Sequence, residues 1–265
     1  MFVLDQTKCK RSFLDRFAYI WPMCPMAARK KPQPLPELLP ESRPLLRRLR
    51  FLALRGLAGL AGFYAVLLVL FAVLPPVINI YQVQESWRLG GISKDWVGWD
   101  DIAPVMARSV VAAEDANFCL HWGFDMAAIR DAIEDGGGRG ASTLSQQVVK
   151  NTFLWHGRSY VRKALEAAIT PVIELLWSKQ RILEVYLNTA EFSEGVFGVQ
   201  AAAQHHFGVD AADLSELQAA RLAAVLPDPK DRSASQPSGF VRKRTRAILS
   251  GAETIAADGR AGCFQ

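Results

Sequence analysis

Cysteine is scarce in this chain, and the four present build no metal site. Cys9, Cys24, Cys119 and Cys263 include no CxxC pair and no metal-ligand spacing. Nothing in the sequence singles out Cys119 and Cys263 as a disulfide, although an oxidising compartment would permit one. Internal repeats are absent. No run alternates apolar and polar residues convincingly, so the body is expected to be all-α. Acidic residues are few at the N-terminus: residues 1–55 hold 12 Lys/Arg against 4 Asp/Glu, while the remaining 210 hold 19 against 22. The net charge of +5 therefore belongs to one terminal segment, and a nucleic-acid-binding body is excluded as its explanation.

Charge is missing altogether from Gly56–Leu74, 19 consecutive residues rich in Leu, Val, Ala and Phe. As a helix this stretch spans roughly 28 Å, about one hydrocarbon core. Pro75 and Pro76 end it. A cleaved signal peptide would be shorter and nearer the terminus, and a buried core helix would show a polar face. Arg47, Arg48, Arg50 and Arg55 precede the span and should stay on the cytoplasmic side. The expected organisation is a basic, proline-rich cytoplasmic segment over 1–50, a transmembrane helix over 51–75, and an extracytoplasmic body over 76–265. Pro32, Pro34, Pro36, Pro40 and Pro44 make the first segment a stiff linker. The apolar Pro76–Tyr81 is placed to embed in the outer leaflet.

Beyond the span the periodicity predicts helices over Ile102–Ala113, Met126–Glu134, Thr143 to about Trp155, Val196–Phe207 and Leu214–Leu226. Thr143-x-x-Gln146 fits a capping box. Arg158–Asn188 reads either as one long helix kinked near Pro171 or as two helices meeting near Ser178.

Three clusters carry the chemistry. Glu114-Asp115 closes an apolar helix and is followed by Phe118 and His121-x-Gly123. A carboxylate ending such a stripe is partly desolvated, which suits a general base or acid, although a surface acid is the plainer reading of the pair alone. The second cluster is Ser142, Thr143, Gln146, Gln147, Lys150 and Asn151. Gln147, Lys150 and Asn151 share one helix face, and amides with a cation suit sugar hydroxyls and phosphate oxygens. The third is Arg162, Lys163 and Glu166. Spacing alone makes it a surface ion-pair ladder, and the sharper reading is an anion clamp with its own acid.

Read in order, these clusters resemble the family 51 glycosyltransferases, the peptidoglycan polymerases, whose motifs run ED-x-x-F-x-x-H-x-G, G-x-S-T-x-x-Q-Q-x-x-K-N and R-K-x-x-E. Ser178-Lys179-x-x-Ile182-Leu183-Glu184-x-Tyr186-Leu187-Asn188, Gly195-x-x-Gly198 and Ala201-Ala202 with Phe207 also match, so the resemblance covers about 76–250. Neither an S-x-x-K nor a K-T-G motif occurs, so the chain resembles the monofunctional biosynthetic type rather than members that carry a transpeptidase. Glu191-Phe192 and Leu226-Pro227-x-Pro229 are similar to that subgroup.

The resemblance implies a mainly α, lysozyme-like domain after one N-terminal transmembrane helix. It implies polymerisation of lipid II into β-1,4 glycan strands with release of undecaprenyl pyrophosphate, in the inner membrane of a bacterium with the catalytic domain in the periplasm. It assigns catalysis to Glu114 as base and Glu166 as second essential acid. Lys150, Arg162 and Lys163 fall near the pyrophosphate, and Asp115, Phe118, His121, Ser142, Thr143, Gln146, Gln147 and Asn151 on the substrate side. No cofactor is required on this view, with Mg²⁺ or Mn²⁺ sharing the pyrophosphate charge in some members. Partners are lipid II, the growing strand, the bilayer and division or elongation proteins. Gly136–Gly138 falls where the family has a mobile segment over the cleft. A lysozyme-like lytic muramidase is the rival enzyme, but with no pyrophosphate to release it does not need Lys150, Arg162, Lys163 and Glu166 together. A non-catalytic scaffold does not need the acids.

Overall fold

The structure is a computed structural model describing residues 43–136, 140 and 142–265. Pro32–Pro40 of the linker, and Gly137 and Gly138 of the segment expected over the cleft, lie outside the described residues. The chain divides into two compact units, residues 1–53 and 54–265. Of the first, residues 43–53 are described, as helix, and Leu45–Ala53 are exposed.

Ten α-helices are described: α1 (Arg43–Phe71), α2 (Ile80–Leu89), α3 (Pro104–Glu114), α4 (Met126–Glu134), α5 (Leu144–Phe153), α6 (Tyr160–Leu176), α7 (Lys179–Thr189), α8 (Val199–Phe207), α9 (Glu216–Val225) and α10 (Gly239–Ala257). Among the described residues, only Leu45–Phe71 is long and apolar enough to cross a membrane. Near its C-terminal end Leu68 enters the core of the second unit, where its carbonyl accepts from the Trp177 indole (2.8 Å). The Tyr64 hydroxyl donates to Phe153 O (3.3 Å), and Arg181 holds the carbonyls of Phe71 and Leu74.

Capping decides most helix starts. The Asn79 side chain accepts from Gln82 N at the head of α2 (2.8 Å), and Ser178 and Ser238 cap α7 and α10. Capping boxes open both α5, through Thr143 and Gln146, and α9, through Ser215 and Gln218. The Arg158–Asn188 region resolves into two helices hinged at Ser178, while Pro171 is accommodated inside α6. Small residues set the packing of α3, α9 and α10. Ala107, Ala219, Ala220, Ala223 and Ala224 are essentially inaccessible, and a Cβ on Gly251 would sit 3.2 Å from the Ala112 methyl. Any larger residue there would push α10 off α3.

The domain is mainly α, as expected, and the one departure from an all-helical body is small. A small sheet of order β1-β3-β2 joins β1 (Ser93–Lys94), β2 (Glu191–Ser193) and β3 (Val196–Phe197), with β1 parallel and β2 antiparallel to β3. The helix expected from Val196 starts at Val199, because Gly198 takes φ +86° and a Cβ there would lie 3.1 Å from Asn188 O. Helices α2 and α10 have no counterpart among the helices expected from sequence. Cys119 and Cys263 are disulfide-bonded across 144 residues, a pairing that nothing in their spacing suggested.

Candidate active site

Glu114 ends α3 with its carboxylate turned toward α5. Its Oε2 accepts from Gln147 Nε2 (3.1 Å) and its Oε1 from the Arg244 guanidinium of α10 (3.4 Å). Burial raises its pKa above the ordinary carboxylate value, and the Gln147 bond, Arg244 and Lys150 pull it back only in part. Gln147 is held in turn by the Tyr186 hydroxyl of α7, which donates to Gln147 Oε1 (3.4 Å). A half-desolvated carboxylate held by a neutral amide can take a proton from a hydroxyl.

Lys150 lies one turn further along α5. Its ammonium makes no hydrogen bond or ion pair with any described residue, and its pKa is lowered, first by burial and against the pull of Glu166. Asn151, Gln147, Lys150, His156, Tyr186 and Lys230 line an open cavity of about 350 Å³. That is room for a small ligand group. Glu114 is not in the lining but stands one hydrogen bond behind it, through Gln147. His156, with Nδ1 buried and unpartnered, is held neutral with a pKa of about 4 by burial and by Lys150 and Arg162. Its ring stacks on Tyr81, with centroids 3.7 Å apart.

Glu166 is 2% exposed, and both its oxygens are taken. Arg162 Nη1 donates to Oε2 (2.6 Å) and Lys163 Nζ to Oε1, while the same ammonium reaches Ser142 Oγ (3.0 Å). The third cluster is therefore not a surface ladder. It is a buried anion held by a largely buried Arg162 and a more exposed Lys163, and Ser142 joins the second cluster to it.

The other residues expected at the site are seen making internal bonds. Asp115 accepts from Leu144 N (2.9 Å) and pairs with His121 Nε2 (2.8 Å), which ties the Glu114 loop to the head of α5. Thr143 donates to Gly123 O (2.7 Å) and completes the α5 cap with Gln146. Phe118 is fully buried, with the Lys179 ammonium 4.3 Å above its ring. Sequence reasoning missed Arg244, Tyr81, His156, Lys230 and the Glu174–Lys179 pair (2.9 Å). Tyr186 lay in a matched motif but had no role. The residues present do not fit a protein-held Mg²⁺ or Mn²⁺. Among the described residues no three His, Cys, Asp or Glu side chains converge, and Glu166 is already neutralised by its own helix. No step is derived through a metal.

A helical domain with a desolvated acid behind a cation-lined cavity suits an enzyme acting on an anionic substrate, and the one long apolar helix among the described residues is compatible with a single-pass membrane anchor. The Transglycosylase family model matches residues 82–253, and the chain belongs to that family. It is 64% identical over 223 residues to a protein of Jannaschia sp. strain CCS1, covering 84% of this chain and 93% of that relative. A relative from Pseudomonas syringae pv. tomato is 56% identical over 193 residues (69% of this chain, 82% of the relative). One from Cronobacter sakazakii is 48% identical over 226 residues (81% and 94%). All three are named biosynthetic peptidoglycan transglycosylase.

Proposed function

We propose that this chain polymerises lipid II into glycan strands, with Glu114 as the general base. The observation that carries this reading is a carboxylate with a raised pKa, held by Gln147 and Arg244, beside a cavity that presents the unpaired cation Lys150. The carboxylate takes the proton from the 4-hydroxyl of the acceptor N-acetylglucosamine as that oxygen attacks C1 of the N-acetylmuramic acid at the lipid-linked end of the strand. The C1–O bond to the pyrophosphate breaks with its electron pair on the leaving oxygen. Attack from the opposite face turns the α-linked donor into a β-1,4 linkage. Lys150, Arg162 and Lys163 stabilise the leaving charge, and Glu166 holds the latter two in place. Asn151, Ser142 and Gln147 supply hydrogen bonds to substrate hydroxyls. Asp115, His121, Thr143, Gln146 and Phe118 keep the Glu114 loop and α5 in register.

The domain assignment follows from the same reading: residues 1–50 cytoplasmic, 51–75 crossing the inner membrane and 76–265 periplasmic, where lipid II is presented. The test is the Glu114→Gln and Glu166→Gln pair assayed with lipid II. Glu114→Gln should lose at least about 10²-fold in kcat while still binding lipid II, the scale of general-base catalysis. A variant polymerising at the parent rate would remove Glu114 from the mechanism.

A further inference from the structure

The segment after α10 folds back onto the loop that follows Glu114, and the reaction uses none of its contacts. Arg260 Nη1 donates to Ala116 O (3.2 Å). Ala261 and Phe264 are buried, and the Phe264 ring packs against that of Phe118 with centroids 6.4 Å apart. Cys263 is bonded to Cys119, in the 3₁₀ turn Phe118–Leu120. From the same C-terminal region, Arg244 donates to Ala113 O (3.2 Å) as well as to the Glu114 carboxylate. One segment thus grips 113–119 on both sides of the acid. The covalent bond ties Cys263 to the turn that holds Cys119 and limits how far the two segments can separate.

We propose that the Cys119–Cys263 disulfide locks α10 and the tail into a strap that positions Glu114, so that turnover depends on the oxidation state of this pair. The proposal rests on Glu114 being the base. In an oxidising compartment the bond persists. Both cysteines are half-buried, so a small dithiol can reach them. Two electrons and two protons from the dithiol convert the disulfide to two thiols, and the dithiol becomes its own disulfide. The tail then holds only by the buried Ala261 and Phe264 and the Arg260 bond, and α10 by its packing on α3 and the Arg244 bonds. The cavity cation Lys150 and the amide Asn151 stand on α5, outside the strap's grip, so substrate binding is spared while the base drifts.

The charged and titratable groups facing Glu114 are Asp115 beside it, Lys150 of α5, Arg244 of α10 and Tyr186 of α7. Loosening the strap withdraws Arg244 but also admits water, and desolvation is the larger of the two influences. The acid limb of the rate profile therefore moves to lower pH on reduction.

The experiment uses the full chain in detergent, oxidised or treated with dithiothreitol, beside a Cys119→Ser/Cys263→Ser double variant. Lipid II turnover and amide hydrogen exchange over 112–124 are followed together. Reduction is expected to lower kcat about tenfold or more with little change in KM, in line with the cost of displacing a catalytic group. Exchange should rise in 112–124 and in the tail around Cys263 but not across the rest of the core, reoxidation should restore both, and the double variant should ignore the reductant. Equal kcat in the two states overturns the proposal, as does activity lost only in step with global unfolding and with an unmoved acid limb. If the double variant does not fold, Phe264→Ala keeps the disulfide and must still lower kcat at constant KM, and an unchanged kcat sinks the strap. Failure of the base assignment looks different: Glu114→Gln would polymerise at the parent rate while 112–124 still loosened on reduction.

Discussion

Arg162→Met should cost about 3 kcal/mol of stability, not the few tenths expected of an exposed i,i+4 pair. The magnitude follows from burial. The Glu166 side chain is 3% exposed and that of Arg162 13%, with the guanidinium 2.6 Å from Oε2. Removing one partner of a buried pair strands the other's charge, at about 3–5 kcal/mol. Lys163 remains on Oε1, and its side chain is 46% exposed, so the loss falls at the low end of that range. The charge is the cause, so Arg162→Met/Glu166→Gln should recover most of the loss, because a buried amide carries none. Urea unfolding of parent, single and double variants in one detergent, at one pH, gives both numbers as a double-mutant cycle. A single-variant loss below about 0.5 kcal/mol would place Glu166 in solvent and return the cluster to a surface ladder.

Three further outcomes follow from the site. Gln147→Leu removes a bond that lowers the Glu114 pKa, so the acid limb of kcat/KM against pH should move upward, and a downward shift would contradict the desolvation argument. Glu114→Gln should raise the melting temperature at pH 7. A carboxyl whose folded pKa is raised above its ordinary 4.5 destabilises the fold once pH climbs past that value, and the advantage of the variant should vanish near pH 4, as paired melts at the two pH values would reveal. Lys150→Met should cut kcat by about 10²–10³-fold, the scale of losing one preorganised charge at a leaving group, without lowering the melting temperature, because burial already disfavours that ammonium.

What could be read from sequence was local. The α5 capping box, the end of α3 at Glu114 and the hinge at Ser178 are written within a few residues each, and the structure has all three. The strands were illegible because two or three residues cannot display alternation. Helix α10 carries Val241, Thr245, Ile248, Ala252 and Ile255 inward, but Arg242, Lys243, Arg244 and Arg246 crowd its first turns and hide the stripe. Two features needed the tertiary structure. Arg244 reaches Glu114 across 130 residues, and the Cys119–Cys263 bond joins positions that no local pattern relates. The character of Glu166 is a third case: its i,i+3 and i,i+4 cations are plain in sequence, but only packing decides that the acid is buried rather than solvated.

The most direct measurement is of purified full-length protein given labelled lipid II in detergent, with half the product digested by a muramidase. Polymer that the muramidase degrades, formed with release of undecaprenyl pyrophosphate, is the expected result. No polymer, together with cleavage of preformed glycan, would contradict the synthetic assignment and make the chain a lytic enzyme.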